Sequence, residues 1–262
     1  MPLNQALTSF KGKNVWIIGA SSGIGEACAI ALAGRGANLI LSARNIDKLT
    51  QLSSELETTH KIDAQAIQCD VGSQDSIDKA MTLIDAAGKS LDVLLFVSGV
   101  YQPVRADKFK IEAAQTMIDV NLLGPMRVLS NILPRFIHQK SGHIAIVGSV
   151  AGYSGLPKSL VYGPTKAAII NLCEALYYDL RPHGVSVHMI SPGFVTTPAT
   201  AKNDFKMPAL ISAKEAAEEI CRGIEKGEFD IHFPKRFSRF LKLLRILPYP
   251  IYFWLLRTFV KI

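Results

Sequence analysis

Residues 14–25 read Asn14-Val15-Trp16-Ile17-Ile18-Gly19-Ala20-Ser21-Ser22-Gly23-Ile24-Gly25, and the small-residue run Glu26-Ala27-Cys28-Ala29-Ile30-Ala31-Leu32-Ala33 follows directly. Val15 to Ile18 are apolar on both faces, as a strand covered by helices on each side requires. Glycines then let the backbone turn sharply and approach a ligand closely. The free N–H groups and dipole of the helix that follows favour a phosphate. Gly19, Ser21, Ser22, Gly23, Ile24 and Gly25 therefore form a candidate dinucleotide-phosphate turn. The spacing is G-x-x-x-G-x-G, which differs from the commoner G-x-G-x-x-G.

Outward from this turn, short apolar runs alternate with helix-length segments, the pattern of βαβ units and a parallel sheet. Strands are predicted at residues 14–18, 38–42, 64–69, 93–97, 143–148, 185–190 and 229–233, and helices at 23–33, 46–56, 76–87, 111–138, 160–180 and 213–226. The expected fold is a Rossmann-like, doubly wound, seven-stranded parallel α/β sheet with helices on both faces. Residues 1–233 would form a single catalytic domain and 234–262 a basic, apolar C-terminal tail.

The 262 residues are 48% apolar, which suits one well-buried α/β unit and excludes a disordered chain. The formal charge of +7 is uneven. Residues 1–233 balance 22 basic against 22 acidic side chains, while 234–262 add Lys235, Arg236, Arg239, Lys242, Arg245, Arg257 and Lys261 with no acid. Cys28, Cys69, Cys173 and Cys221 are far apart in sequence, so neither a metal site nor a disulfide framework is expected. The N-terminal residues lack an apolar signal segment, and a reducing cytoplasm is the expected location.

The second strand ends in Ser42-Ala43-Arg44. An acid there would accept from a ribose 2′-hydroxyl, whereas an arginine can pair with a 2′-phosphate, so NADP(H) is expected over NAD(H). Further on, Tyr162 and Lys166 lie four residues apart and hence on one helical face. A phenol near pKa 10 is a poor acid-base group at neutral pH, and a neighbouring ammonium can bring its pKa down. Ser149 falls at the carboxyl end of the fifth strand, the edge where open α/β sheets bind ligands.

Through GASSGIG at 19–25, Ser149, YGPTK at 162–166 and PGFVTTP at 192–198, residues 10–233 resemble the short-chain dehydrogenase/reductase family. The resemblance implies a nicotinamide-dependent reduction of a carbonyl or oxidation of an alcohol. Tyr162 would be the general acid or base, Lys166 would tune it and hold the nicotinamide ribose, and Ser149 would orient the carbonyl. Asn121, in DVNLLGP, would hold a water of the proton relay. Asp70 and Val71 would contact adenine, Gly99 would border the cofactor, and Pro192, Gly193, Val195 and Thr197 would hold the nicotinamide end. Two departures stand out. Pro164 falls inside the catalytic helix, and Phe96-Val97-Ser98-Gly99 replaces the family's Asn-Asn-Ala-Gly, removing two amides that tie the central sheet to its loops.

A hydrolase is disfavoured because Val147 and Ala151 flank Ser149 where a nucleophile elbow needs glycines. A non-catalytic NADP-binding regulatory or scaffold protein is disfavoured by the joint presence of Ser149, Tyr162, Lys166 and Asn121. Nucleic-acid binding lacks any recognition module. An apolar or lipid-like carbonyl substrate is expected, and a homodimer or homotetramer paired through the helices at 111–138 and 160–180. In the tail, Lys235, Arg236, Arg239 and Lys242 fall on one helical face with Phe237, Phe240, Leu241 and Leu244 opposite. This is read as an interfacial helix on a membrane surface, with Tyr249, Tyr252 and Trp254 at head-group depth. Packing on a partner subunit and covering of the substrate cleft are the alternatives.

Overall fold

The structure is a computed structural model that describes residues 2–202 and 205–259. Seven strands, β1 (Asn14–Ile18), β2 (Asn38–Ala43), β3 (Ala64–Gln68), β4 (Val93–Phe96), β5 (Gly142–Val147), β6 (Val185–Pro192) and β7 (Asp230–Phe233), form a sheet in the order β3-β2-β1-β4-β5-β6-β7. Every pairing is parallel. The order reverses between β1 and β4, where Ile18 stands between Ser42 on one side and Phe96 on the other. That reversal opens the crevice in which such sheets bind ligands.

The helices are α1 (Gly23–Ala33), α2 (Ile46–His60), α3 (Gln74–Ala86), α4 (Ile111–Ile118), α5 (Gly124–Gln139), α6 (Tyr162–Leu180), α7 (Ala213–Glu225), α8 (Lys235–Arg245) and α9 (Tyr249–Phe259). Strand parity assigns the core. Trp16 and Ile18 of β1 point into one apolar cluster with Ile132 and Phe136 of α5 and Ile169 and Cys173 of α6. Val15 and Ile17 point into the other, with Cys28 and Leu32 of α1 and Ile220 and Ile224 of α7. Each large side chain so buried contributes about 1.5–3 kcal/mol, and both faces of the sheet are covered. The Trp16 indole, wholly buried, donates to Ser42 Oγ at 2.9 Å, so its polar atom is satisfied.

The helix expected over residues 111–138 is interrupted. Residues Asp119–Leu123 form a π-helical turn between α4 and α5, with the Gly124 N–H reaching Asp119 O. The extra residue turns Asn121 inward, where its amide pairs with both main-chain groups of Val100 at 2.8 and 2.9 Å. Single π turns of this kind are frequent at functional sites.

The tail is not free of the body. Ser238 of α8 is fully buried, its hydroxyl donating to Pro234 O at 2.8 Å beside the His232 ring, and Lys242 pairs with Asp230 of β7. α8 ends at Arg245, Pro248 O accepts from the first turn of the next helix, and α9 folds back so that the Tyr252 hydroxyl donates to Gly155 O at 2.5 Å. Leu244, Tyr252 and Leu256 form a small apolar cluster with Leu156. Tyr252, expected at head-group depth, therefore faces the protein, because its hydroxyl finds a main-chain carbonyl there. Among the described residues, no helix is long and apolar enough to cross a membrane.

At the far end of the sheet, His143 of β5 and His188 of β6 stack, with His143 Nδ1 3.1 Å from His188 Nε2 and His188 Nδ1 2.6 Å from Glu228 O. The carbonyl must receive an N–H, so His188 Nε2 is the acceptor and His143 Nδ1 its donor. A further proton has no place between the rings. Burial, the largest effect on each ring, with Lys13 near His143, pushes His143 down to about 4 and His188 to about 3. Both rings are thus neutral in the folded state and take up protons near 6.5 when unfolded, so the unfolded chain binds more protons below that pH. Stability is expected to be fully present above pH 6.5 and to fall as the pH drops from 6.5 towards 4. Urea midpoints measured across this window should fall for the native sequence and change less for the His143→Gln/His188→Gln variant. Parallel curves would show that the pair does not carry the effect.

Candidate active site

A cavity of about 1280 Å³ lies at the carboxyl ends of β1, β2, β4, β5 and β6. Drug-sized ligands occupy about 300–1,000 Å³, so there is room for a large ligand and a second molecule. Its wall gathers Gly19, Ser21, Ser22, Gly23, Ile24, Arg44, Asp70, Val71, Gly99, Ser149, Tyr162, Lys166, Pro192, Gly193, Val195 and Thr197. Of the residues singled out from sequence, Gly25 and Asn121 stand behind the wall.

The turn after β1 is compact for a steric reason. Gly19 has φ +96°, and a Cβ there would lie 2.7 Å from the Ser98 nitrogen. A Cβ on Gly25 would come within 2.1 Å of the Gly19 carbonyl oxygen. Ser22, the N-cap of α1, makes no side-chain hydrogen bond to the helix, so the first-turn N–H groups of α1 are left to face the cavity. These features fit a pyrophosphate. Asn45 caps α2 with its side chain, which leaves the exposed Arg44 guanidinium at the cavity edge beyond β2. On the opposite side of the turn, Asp70 accepts from the Gly72 N–H at 2.9 Å, which fixes its carboxylate.

The loss of two amides after β4 is compensated by other groups. Val97 and Ser98 donate to Ile18 O at 2.8 and 2.9 Å, continuing the ladder. Asn121 pairs the next free main-chain groups, those of Val100, and its Nδ2 also lies 3.4 Å from Thr165 Oγ1. The side-chain amide of Asn121 is thus committed to protein groups.

Tyr162 opens α6 and Lys166 stands one turn further along. Pro164 is the third residue of the helix, where its missing N–H has no helical acceptor to lose, so the geometry is undisturbed. The 3-10 turn Val150–Gly152 packs flat on this helix, since a Cβ on Gly152 would sit 2.6 Å from the Lys166 carbonyl carbon. That packing carries Ser149 to the Tyr162 hydroxyl, with which its side chain hydrogen-bonds. Ser149 Oγ also accepts from the Ala151 N–H at 3.1 Å. Tyr101 meets the Tyr162 ring edge-on at 5.0 Å.

The electrostatics differ from the sequence expectation. Lys166 was expected to lower the phenol pKa. Its Nζ instead donates to Val147 O at 2.9 Å and lies 5.7 Å from the Tyr162 ring centroid. Burial dominates both groups, pushing Tyr162 up to about 12 despite the Ser149 hydrogen bond, and Lys166 down to about 8. The phenol is therefore protonated at neutral pH.

Sequence reasoning missed the outer wall. Leu156, Phe194, Phe237, Leu241, Leu244 and Leu255 line the cavity beyond Ser149, Tyr162 and Lys166. Phe237, Leu241 and Leu244, read as the membrane face of the tail, point into the cavity because Ser238, Lys242 and Tyr252 fix the helices that way. The amphipathic pattern of 235–247 was the signal, and it was compatible with either covering. Of the loop at 198–210, Pro198, Ala199, Thr200, Phe205, Lys206 and Pro208 also line the cavity, while 203–204 lie outside the described residues.

A Rossmann-like sheet with a glycine turn at its switch point, Ser149 after β5, and Tyr162 and Lys166 on α6 beside it has the architecture of a nucleotide-dependent oxidoreductase. The sequence profile of the short chain dehydrogenase family matches residues 13–207, and the chain belongs to the short-chain dehydrogenase/reductase family, NAD(P)(H)-dependent enzymes acting on CH–OH and C=O groups. It is similar to an uncharacterized oxidoreductase of Myxococcus xanthus, 32% identical over 90% of this chain and 93% of that one. It is also similar to one of Staphylococcus epidermidis, 35% identical over 82% of this chain and 91% of that one. Among solved structures, an alcohol dehydrogenase from Thermococcus sibiricus complexed with 5-hydroxy-NADP aligns with TM-score 0.77 and 26% identity, covering 85% of this chain and 96% of that one. A Burkholderia phymatum short-chain dehydrogenase/reductase in complex with NAD shares the fold at TM-score 0.81 and 23% identity, over 90% and 93% of the chains.

The Asn121 amide is expected to hold the loop after β4. Asn121→Ala leaves the Val100 N–H and C=O without partners, a loss of about 1–3 kcal/mol in urea denaturation. An unchanged midpoint would show that the tie lies elsewhere.

Proposed function

We propose that the protein is an NADPH-dependent reductase of an apolar, lipid-like ketone, or in reverse a dehydrogenase of the matching alcohol. The observation that carries this reading is the protonated Tyr162 phenol, hydrogen-bonded to Ser149 at the floor of a cavity whose outer wall is apolar. The cofactor, when bound, supplies the hydride that goes to the carbonyl carbon. Tyr162 gives its hydroxyl proton to the carbonyl oxygen, so carbonyl and phenol become alcohol and phenolate. Ser149 donates a hydrogen bond to that oxygen and orients it. Lys166 holds the nicotinamide-ribose hydroxyls, and its charge favours the phenolate once it forms. Asn121, whose side chain fixes the loop at Val100, holds a water of the proton relay.

The glycine turn from Gly19 to Gly25 holds the pyrophosphate, Asp70 and Val71 the adenine, Gly99 the rim, and Pro192, Gly193, Val195 and Thr197 the nicotinamide end. Exposed Arg44, with no acid at the end of β2, supports NADP(H) over NAD(H). Residues 1–233 act as the catalytic unit and 234–262 as an appendage that completes its cleft. The reading includes a homodimer or homotetramer through α5 and α6, which leave Met126 and Tyr178 exposed. It also includes a cytoplasmic location with peripheral attachment to a membrane.

Two measurements test this reading. Tyr162→Phe should lose about 10²- to 10⁴-fold in turnover while binding NADPH with little change, because only the transferable proton is removed. A fully active variant overturns the mechanism. Arg44→Asp should shift the NADPH-to-NADH ratio of kcat/KM by about ten- to a hundred-fold, the worth of a charge-assisted pair with a phosphate. An unchanged ratio would place the discrimination outside Arg44.

A further inference from the structure

The tail has a second apolar face. Leu243, Ile246, Tyr249, Phe253 and Trp254 are exposed, Trp254 at 63%, and none of them lines the cavity. Covering the cleft therefore does not account for them, and a clustered apolar surface of this kind marks a contact. Phe240 belongs to both faces, lining the cavity while 53% exposed. The cavity thus reaches the surface beside the outer patch.

Charge selects the occupant. Lys235 and Lys242, which lean towards the body, are paired with Glu228 and Asp230. Arg236, Arg239, Arg245 and Arg257 are exposed and enter no ion pair among the described residues, and 234–262 contains no acid. A second copy of the chain seated on this face would oppose arginines to arginines. An anionic lipid surface complements both the arginines and the apolar patch, and Tyr249 and Trp254 suit its head-group layer. The 11 residues of α9 reach about 16 Å, against a hydrocarbon core of about 30 Å, so the helix lies along the surface.

We infer that the outer face of α8 and α9 docks on an anionic bilayer with Phe240 at the boundary between head groups and acyl chains, so that the cleft draws its carbonyl substrate directly from the membrane. The substrate part of this inference rests on the reductase reading above. Sedimentation with vesicles and NADPH oxidation separate the two. The vesicles are phosphatidylcholine with or without phosphatidylglycerol, and the ketones are cyclohexanone in buffer and a long-chain methyl ketone carried in the vesicles.

The full chain should sediment with the anionic vesicles and much less with the neutral ones. Leu243→Glu/Trp254→Glu, at exposed positions outside the cavity, should lower the partition coefficient by about tenfold or more. It should lose the vesicle-borne ketone by a similar factor and reduce cyclohexanone as the native protein does. Arg236→Glu/Arg239→Glu should abolish the preference for anionic vesicles. The inference is overturned if the full chain stays in the supernatant, if the double variant sediments equally, or if it reduces the vesicle-borne ketone at the native rate. It is also overturned if the substitutions split an oligomer of a protein that binds no vesicles, since the face then covers a second copy. Absence of turnover with either ketone defeats the reductase reading instead, and sedimentation still decides the docking face.

Discussion

The turn after β1 has no room for side chains, and the site is arranged around that fact. Gly25 packs on the carbonyl of Gly19, and Gly19 in turn faces the main chain of Ser98. A glycine-only crossing lets α1 start directly beneath the end of β1, so its free N–H groups point across the switch point rather than into solvent. Because β4 follows on the other side, the same contact sets where Gly99 and Val100 run. Asn121 then fixes Val100 from behind, and Thr165 beside it leads to the catalytic turn of α6. A substitution at Gly25 would thus disturb the glycine turn and the start of α6 together.

Much of this arrangement is legible in the sequence because it depends on periodicities and steric demands that single residues carry. The doubly apolar strands gave the sheet, and the glycine spacing gave the turn. Tyr162 and Lys166 fell on one face because four residues make about one helical turn. The interruption at Asp119–Leu123 was not legible, since DVNLL has no breaker and the π turn is paid for by tertiary pairing of Asn121 with Val100. The direction of the tail was not legible either. An amphipathic helix shows that one face is covered, but the covering surface is chosen by Ser238, Lys242 and Tyr252, whose partners are distant in sequence or in another element.

The balance at the catalytic pair also lies beyond motif reading. A tyrosine and a lysine at this spacing suggest an ammonium that lowers a phenol pKa. The fold gives the amine to Val147 O, and burial is the largest effect on both groups, raising the phenol and lowering the ammonium. A phenol that keeps its proton is prepared to act as an acid, and the phenolate left behind is the state that the nearby lysine favours. The phenol thus holds its proton before any ligand arrives, with Ser149 beside it.

Lys242 makes two contacts that bear on how the tail and the chemistry communicate. Its ammonium pairs with Asp230 on β7 and lies 5.5 Å from the centroid of the Tyr153 ring, which directly follows the turn that carries Ser149. One cation thus joins the last strand, the tail and the serine-bearing turn. Moving α8 outward would strip Tyr153 of this contact and loosen the turn. By thermodynamic reciprocity, a ligand that orders the serine turn would in equal measure seat the tail. The helix that walls the cleft is in this sense a lever, with its fulcrum on β7 and its short arm resting against the serine-bearing turn.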